Sequence, residues 1–313
     1  MPPHSDEVNT DDLRLLLTLA RTGRMVAAAA VLGIDHTTVR RRLRRLESSL
    51  GATLVEHGSD GWVLTDIGRV VVERSAPLEH VVQRVRDAVA GEEGAVHGTV
   101  RIAAPDGFGV SFVTAAVSDV VVHHPGITVE LVTSTRPLSP RAPGYDMSVN
   151  VGVPRPGWVD TELLTQYALG LYASRDYLAR SPRITGTEDL AEHRLIFYVD
   201  SHLTVAELDL ARSFAGMRVG LSCTNVAAQV EATRRGAGIG LLPCFLAEVE
   251  PDLERVLPEQ VRVLLDFSLN VRRDSLAVEA VRLVRAALHR EIAKRRHELV
   301  PPPRPGGVGR VAG

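Results

Sequence analysis

The residues best placed to do chemistry lie in His36-Thr-Thr-Val-Arg-Arg-Arg-Leu-Arg-Arg-Leu46, a run with five arginines and no acid. On a helix at about 100° per residue, Val39, Leu43, Leu46 and Leu50 fall within about 60° of one another and make a stripe to bury. Thr37, Thr38, Arg41, Arg44 and Arg45 then project to the opposite side, with Arg40 and Arg42 on the flanks. Guanidinium forks suit phosphate oxygens and the O6/N7 edge of guanine, and threonine suits a phosphate or a thymine methyl. A solvated surface helix would carry the same charges, so the surroundings of the run have to separate the two readings.

Bulk composition does not. The net charge is −2 over 313 residues, and within the first 65 residues eight basic side chains balance eight acidic ones. What points to DNA is where the charge sits, because the arginines crowd one segment while the acids lie elsewhere. Lys294 is the only lysine, so arginine carries nearly all the positive charge as a general bias of the chain. A hydrophobic fraction of 45% with 24% charged residues is ordinary for a globular protein, and the length allows two or three domains. Cys223 and Cys244 are too few for a disulfide framework or a zinc site and read as buried small hydrophobes in a reducing compartment. The polar, acidic start does not resemble a signal peptide, and no apolar run approaches the roughly 18 residues that span a bilayer. A cytoplasmic protein without a membrane partner is expected.

Catalytic patterns are missing from the sequence as well. No Gly-x-Ser-x-Gly elbow, P-loop or metal-spaced His/Cys cluster occurs, and the adjacent His123-His124 would point in different directions on a helix. Gly236-Ala-Gly238-Ile-Gly240 fails the dinucleotide spacing and runs from helix into strand, the reverse of the fingerprint. No catalytic residue, metal or cofactor is expected.

Around the arginine run the elements fall into a known layout. Asn9-Thr10-Asp11-Asp12 caps a first helix with apolar Leu13, Leu16, Leu17 and Ala20, which Thr22-Gly23 ends. An Ala-rich second helix covers about 24–32, Gly33-Ile34-Asp35 turns the chain, and Asp35 is placed to cap the arginine helix. That order is a helix-turn-helix. Leu54-Val55 and Trp62-Val63-Leu64, separated by the turn Glu56 to Gly61, add a hairpin wing.

The pattern Ala28-Ala29 … Leu32, Thr38-Val39 … Leu43 … Leu46-Glu47 … Leu50-Gly51 … Leu54, Leu64-Thr65 … Gly68 resembles the N-terminal domain of LysR-type transcriptional regulators. The spacing matches without gaps over about 55 residues. Departures are Arg24-Met25 for a small polar residue and an aromatic, His36-Thr37 for Gln-Pro, Arg40 for Ser, Val55 for Phe and His57 for the wing Arg. They change residues that would meet bases and leave the fold intact.

Thr65 caps the next helix, about 66–90, where Ile67, Val70, Val71, Leu78, Val81, Val82, Val85 and Val89 recur at three and four residues as a seam for a second helix. The alternative is packing on its own domain; the resemblance implies a dimerising linker. Pro77 is expected to bend it. After the hinge Gly91-Glu-Glu-Gly94 the texture becomes β-α-β, with strands at 99–103, 127–132 and 145–151 and a helix at 109–123. A second set follows, with strands at 168–173, 195–198, 218–222 and 239–242 and helices at 175–180 and 225–235. Val261-Val263-Leu265 then leads back to a helix at 274–294. A parallel sheet covered on both faces is the expectation.

Gly98 … Arg101-Ile102, His124-Pro125-Gly126, Tyr145-Asp146, Asp176-Tyr177-Leu178-Ala179, Glu188-Asp189-Leu190 … His193 and Gly236 to Pro243 extend the resemblance over residues 98–295. The expected fold is therefore an all-α winged helix-turn-helix plus an α/β bilobal periplasmic-binding-protein-like effector domain. The expected boundaries are 1–65 for the head, 66–93 for the linker and 94–300 for the sensor, with a disordered tail at 301–313. Lobe I takes about 94–165 and 267–300, and lobe II about 166–266.

Ligands of open α/β sheets sit beyond the carboxyl ends of the strands. Those places are Asp106, Gly107 and Phe108 with Ser111; Thr133 and Ser134; Asp200, Ser201 and His202; and Ser222, Thr224 and Asn225. The resemblance implies a small-molecule effector there. Many relatives hold an effector carboxylate with Ser or Thr near the position of Asp106, so a cationic or neutral effector is one expectation and a helix-capping role for Asp106 the other. For DNA the expected contacts are His36, Thr37, Thr38, Arg40, Arg41, Arg44, Arg45 and the wing His57. The partners implied are double-stranded promoter DNA and further copies of the chain, as a homodimer or homotetramer. A small-molecule binder or enzyme on the same scaffold, with the first helices used only to dimerise, is the rival reading; it has no need of an arginine face.

Overall fold

The computed structural model describes residues 8–58, 61–75, 78, 81–82, 96–134, 145–152, 159–199, 216–273 and 275–302. Three helices open the chain: α1 (Thr10–Thr22), α2 (Met25–Leu32) and α3 (His36–Leu50). Asn9 caps α1 by accepting the Asp11 amide at 2.8 Å. The buried face of α1 is turned from the expected one, since Leu15, Leu16, Leu17 and Leu19 are buried and Leu13 and Ala20 only partly so. Five leucines in seven positions leave no polar side for periodicity to find, and packing against α2 and α3 chooses the face. Val39, Leu43 and Leu46 of α3 enter that core, while Leu50 lies at its edge, 36% exposed.

The wing is β1 (Val55–Gly58) paired antiparallel with β2 (Gly61–Leu64). Glu56 to Gly58, expected as turn, are strand, and His57 faces Trp62 across the ladder with ring centroids 5.5 Å apart. Glu47 fastens the wing to α3 by accepting the Leu54 amide at 2.8 Å. Helix α4 (Asp66–Ser75) starts at Thr65, whose hydroxyl oxygen accepts the Gly68 amide at 2.9 Å. Gly68 lies so close to the wing that an added Cβ would sit 1.9 Å from the Leu54 carbonyl oxygen. Among the expected seam residues, Ile67, Val70 and Val81 are exposed, whereas Val71 packs against the head core beside buried Val72. Leu78 and Val82 are partly buried. Val85, Val89, Pro77 and the Gly91–Gly94 hinge lie outside the described residues, as does the 303–313 tail.

The second region is one nine-stranded sheet in the order β4-β3-β5-β11-β6-β9-β7-β8, with β10 paired to β6. Its strands are β3 (Gly98–Pro105), β4 (Ile127–Ser134), β5 (Met147–Val151), β6 (Val159–Ser174), β7 (Arg194–Phe197), β8 (Arg218–Ser222), β9 (Ile239–Pro243), β10 (Leu253–Val256) and β11 (Val263–Arg272). The sheet is mixed, not parallel throughout. Parallel ladders join β3 to β4 and β5 in one half and β7 to β8 and β9 in the other; every pairing of β6 and β11 is antiparallel. β6 runs for 16 residues, more than twice the expected length, and with β11 it forms the two crossings between halves. Their register shifts between Phe267 and Ser268, leaving Leu164 unmatched as a bulge.

Helices cover the sheet: α5 (Thr114–His123), α6 (Arg175–Arg180), α7 (Val226–Arg234), α8 (Cys244–Ala247) and α9 (Glu279–Leu299). The run into α5 begins earlier than expected, with a helical turn at Asp106–Phe108 and a π-helical turn at Gly109–Val113. α9 also begins and ends later than expected. One continuous core runs through both halves, from Val100 and Ile102 to Phe197 and Ile239. At the crossing it is aromatic: Tyr167 stacks on Phe267 at 4.1 Å, Phe267 meets Phe108 at 4.3 Å, and Phe108 stacks on Phe112 at 5.2 Å.

Candidate nucleic-acid interface and effector cleft

The arginine face is positioned from its amino end. Asp35 accepts the Thr37 and Thr38 amides, both at 2.9 Å, and also both threonine hydroxyls. The hydroxyl donors of Thr37 and Thr38 are thereby used within the cap, so towards a ligand they offer a methyl and an acceptor oxygen instead of the phosphate donor expected from sequence. Hydrogen bonds from the Thr37 and then the Thr38 hydroxyl hold the Asp35 carboxyl far below its ordinary value of 3.8.

Two of the five arginines are spoken for. Asp12, buried in α1, accepts Arg42 Nε at 2.6 Å on one oxygen and Arg45 Nε at 2.7 Å on the other. Arg45 was expected among the outward residues; it stays 59% exposed, but this pair fixes its direction. Sequence reasoning missed Asp12, which looked like a first-turn acid serving the helix dipole. No local signal marks a carboxylate that reaches another helix thirty residues on. Arg40, Arg41 and Arg44 are exposed and, among the described residues, have no ion-pair partner. His36 at the start of α3 is exposed too, as is His57 on the wing. The structure therefore brings the arginine face and the wing onto one small three-helix frame.

The cleft residues are less uniform. Asp106 follows β3, and its Oδ2 accepts the amide of Val226, the first residue of α7, at 3.0 Å; Oδ1 accepts the Gly107 amide at 2.9 Å. The carboxylate thus caps a helix, but one carried by the other half of the sheet. Asn225, also expected to face a ligand, caps the same helix by accepting the Ala228 amide at 3.1 Å. Gly107 packs against that helix and α8: a Cβ there would lie 2.7 Å from Leu246 Cδ1 and 2.9 Å from Val226 Cγ1. Phe108 is not a lining residue; it is 1% exposed within the aromatic core. Ser111 is partly buried, and its carbonyl accepts Arg295 Nη1 at 2.6 Å. Thr133 and Ser222 are exposed at strand ends, and Thr224 is half-buried. Asp200, Ser201 and His202 lie outside the described residues, and so does the side chain of Ser134.

Several sequence patterns turn out to brace the scaffold. Asp146 accepts the Arg101 amide and the Ser275 hydroxyl, each at 2.9 Å, and the Tyr177 hydroxyl pairs with His193 Nδ1 at 2.9 Å. Burial holds the His193 imidazole below its ordinary value. Gly236 to Gly240 lead from just past the end of α7 into the first two residues of β9, the helix-to-strand junction expected for them. Among the described residues no group of three or more His, Cys, Asp and Glu could hold a metal ion, and no helix is long and apolar enough to cross a membrane.

Comparison with known proteins agrees with this architecture. Residues 93–293 match a family model described as the LysR substrate binding domain, and residues 10–69 match one described as the bacterial regulatory helix-turn-helix protein of the lysR family. The chain is 25% identical over 255 residues to the HTH-type transcriptional activator TtdR of Escherichia coli, covering 79% of this chain and 82% of that one. It is 26% identical over 263 residues to the HTH-type transcriptional regulator PtxR of Pseudomonas aeruginosa, covering 81% and 83%. The crystal structure of ArgP from Mycobacterium tuberculosis shares the fold with a TM-score of 0.69 at 16% identity, over 91% of this chain and 97% of that one. With a helix-turn-helix head followed by a two-lobed sensor, and with both family models matched in that order, this chain belongs to the LysR family of bacterial transcriptional regulators.

Proposed function

We propose that this regulator reads promoter DNA with α3 and the wing as a homodimer or homotetramer, and that a small molecule between the lobes of its sensor modulates the grip. The observation that carries the DNA reading is the exposed arginine face: Arg40, Arg41 and Arg44, without an ion-pair partner among the described residues, stand on a helix whose opposite stripe is buried and whose start is fixed by Asp35. His36, Thr37, Thr38, Arg40 and Arg41 at the amino end of α3 enter the major groove, with Arg41 in the base-reading role. Arg44, the free edge of Arg45 and the wing His57 meet phosphates. The exposed Ile67, Val70 and Val81 support pairing of the linker helices of two copies. The protein acts in the cytoplasm, where the promoter is.

The test is binding of the purified protein to its own upstream intergenic DNA and to random DNA of equal length, at two salt concentrations. Specific retention that weakens steeply with salt is expected, because arginine contacts release counterions from the phosphates. Equal binding to both DNAs overturns the reading. Arg41→Ala should lower specific affinity by ~1–3 kcal/mol and leave random DNA nearly unaffected; an equal loss on both would assign Arg41 to phosphate.

A further inference from the structure

We propose that Asp106 is a tethered occupant of the cleft: its carboxylate, carried by lobe I, fills the amino end of helix α7 in lobe II, latches the lobes together and denies that place to free carboxylates. This rests on reading the domain as an effector sensor. The two oxygens divide between the lobes, one accepting the lobe I amide of Gly107 at 2.9 Å and the other the lobe II amide of Val226 at 3.0 Å. These partners lie 120 residues apart in sequence, so the bond can form only when the lobes meet. The contact surface is shaped for it. Gly107 has no side chain, and any Cβ there would strike Leu246 and Val226.

The chemistry is that of an anion at a helix start. First-turn amides and the helix dipole together favour negative charge, and no cation is needed. None is present: among the described residues Asp106 has no arginine, lysine or histidine partner, and it meets only backbone donors. Asn225 takes the Ala228 amide, which leaves little of the first turn for another acceptor. A carboxylate held on the chain has an effective local concentration in the millimolar range or above. A free carboxylate of similar chemistry cannot displace it at lower concentration. The sensor therefore closes on its own side chain, and an effector must act elsewhere in the cleft or bring a group other than a small carboxylate.

Hydrogen exchange of the full-length protein tests the latch without DNA, using the peptide that contains Val226. In Asp106→Ala this amide should exchange about tenfold faster or more, as expected when a hydrogen bond to a charged acceptor is lost. Sodium acetate at tens of millimolar, but not sodium chloride at the same ionic strength, should restore protection in Asp106→Ala and leave the wild type unchanged. Asp106→Asn retains the shape and one acceptor without the charge; it should show intermediate exchange and a weaker acetate response, and it decides the matter if the alanine variant fails to fold. Unchanged exchange in the variants, or an acetate response identical in wild type and variant, overturns the proposal. Failure to find any metabolite that alters DNA binding would count against the sensor reading and leave the exchange results standing.

Discussion

Two helices of this protein receive an aspartate at their amino ends, and they do so in opposite ways. Asp35 caps α3 from the residue next to it, through the Thr37 and Thr38 amides. Asp106 caps α7 from a strand end 120 residues earlier. The head is built throughout like the first case, with contacts that close within about 65 consecutive residues, whereas the sensor is built like the second. A local cap orients one helix and can do little else. A distant cap joins two bodies, and whatever competes for it changes their relation.

The contrast is sharpest where a substitution should damage one region and spare the other. Gly68→Ala is expected to have the largest effect, because its Cβ would meet the Leu54 carbonyl at 1.9 Å and neither backbone can yield cheaply. A loss of about 3 kcal/mol or more in the head is expected. Calorimetry should show the head transition falling while the sensor transition stays in place; a shared fall would mean that the two regions fold as one unit. Next comes Asp12→Asn, which removes the buried charge that Arg42 and Arg45 share. The arginines are themselves partly exposed, so water screens the loss and roughly 1–3 kcal/mol is expected. A double-mutant cycle with Arg45→Gln measures the coupling, and complete additivity would show the pair to be incidental.

Asp35→Ala should have the smallest effect and a distinctive pH signature. The folded-state carboxyl lies far below its ordinary 3.8, chiefly through the Thr37 hydroxyl. Its contribution is therefore complete above that ordinary value and is lost as pH falls below it. Wild type and variant should differ most near neutrality and converge in acid. A constant gap down to the lowest pH at which the head stays folded would show that the cap charge contributes nothing.

The same division governs what could be read from the sequence. Helix-turn-helix and wing were legible because each signal is local: Asn9 and Asp35 before helices, Gly33 between them, leucines at helical spacing. The outward side of α3 was legible for the same reason, but its pairing with Asp12 was not, since a carboxylate thirty residues away looks the same paired or free. The first half of β6, Val159-Asp-Thr-Glu-Leu-Leu-Thr-Gln, carries too many polar residues to announce a strand; its ladder with β11 decides. β10 is four residues long with two charges and has no periodicity to speak of. In the sensor, topology put Asp106 and Thr133 at the ends of strands, where the structure has them, yet the state of the side chains there was not legible. Phe108 proved to be core and Asp106 a bridge, and both outcomes depend on what the opposite lobe presents.

The long pairing of β6 with β11 also has a bearing on how the protein is made. β5 and β6 wait for β11, and β3 and α5 wait for α9, which begins at Glu279. A chain emerging from the ribosome can complete its DNA-binding head while most of the sensor is still to be translated. The edges of β5 and β6 that face β11 are not covered until Val263–Arg272 has emerged, although β9 and β10 reach β6 earlier, so strands of both lobes keep an open edge through much of synthesis. A nascent chain therefore carries a finished helix-turn-helix head before its sensor is complete, and the head must hold its fold without help from the sheet.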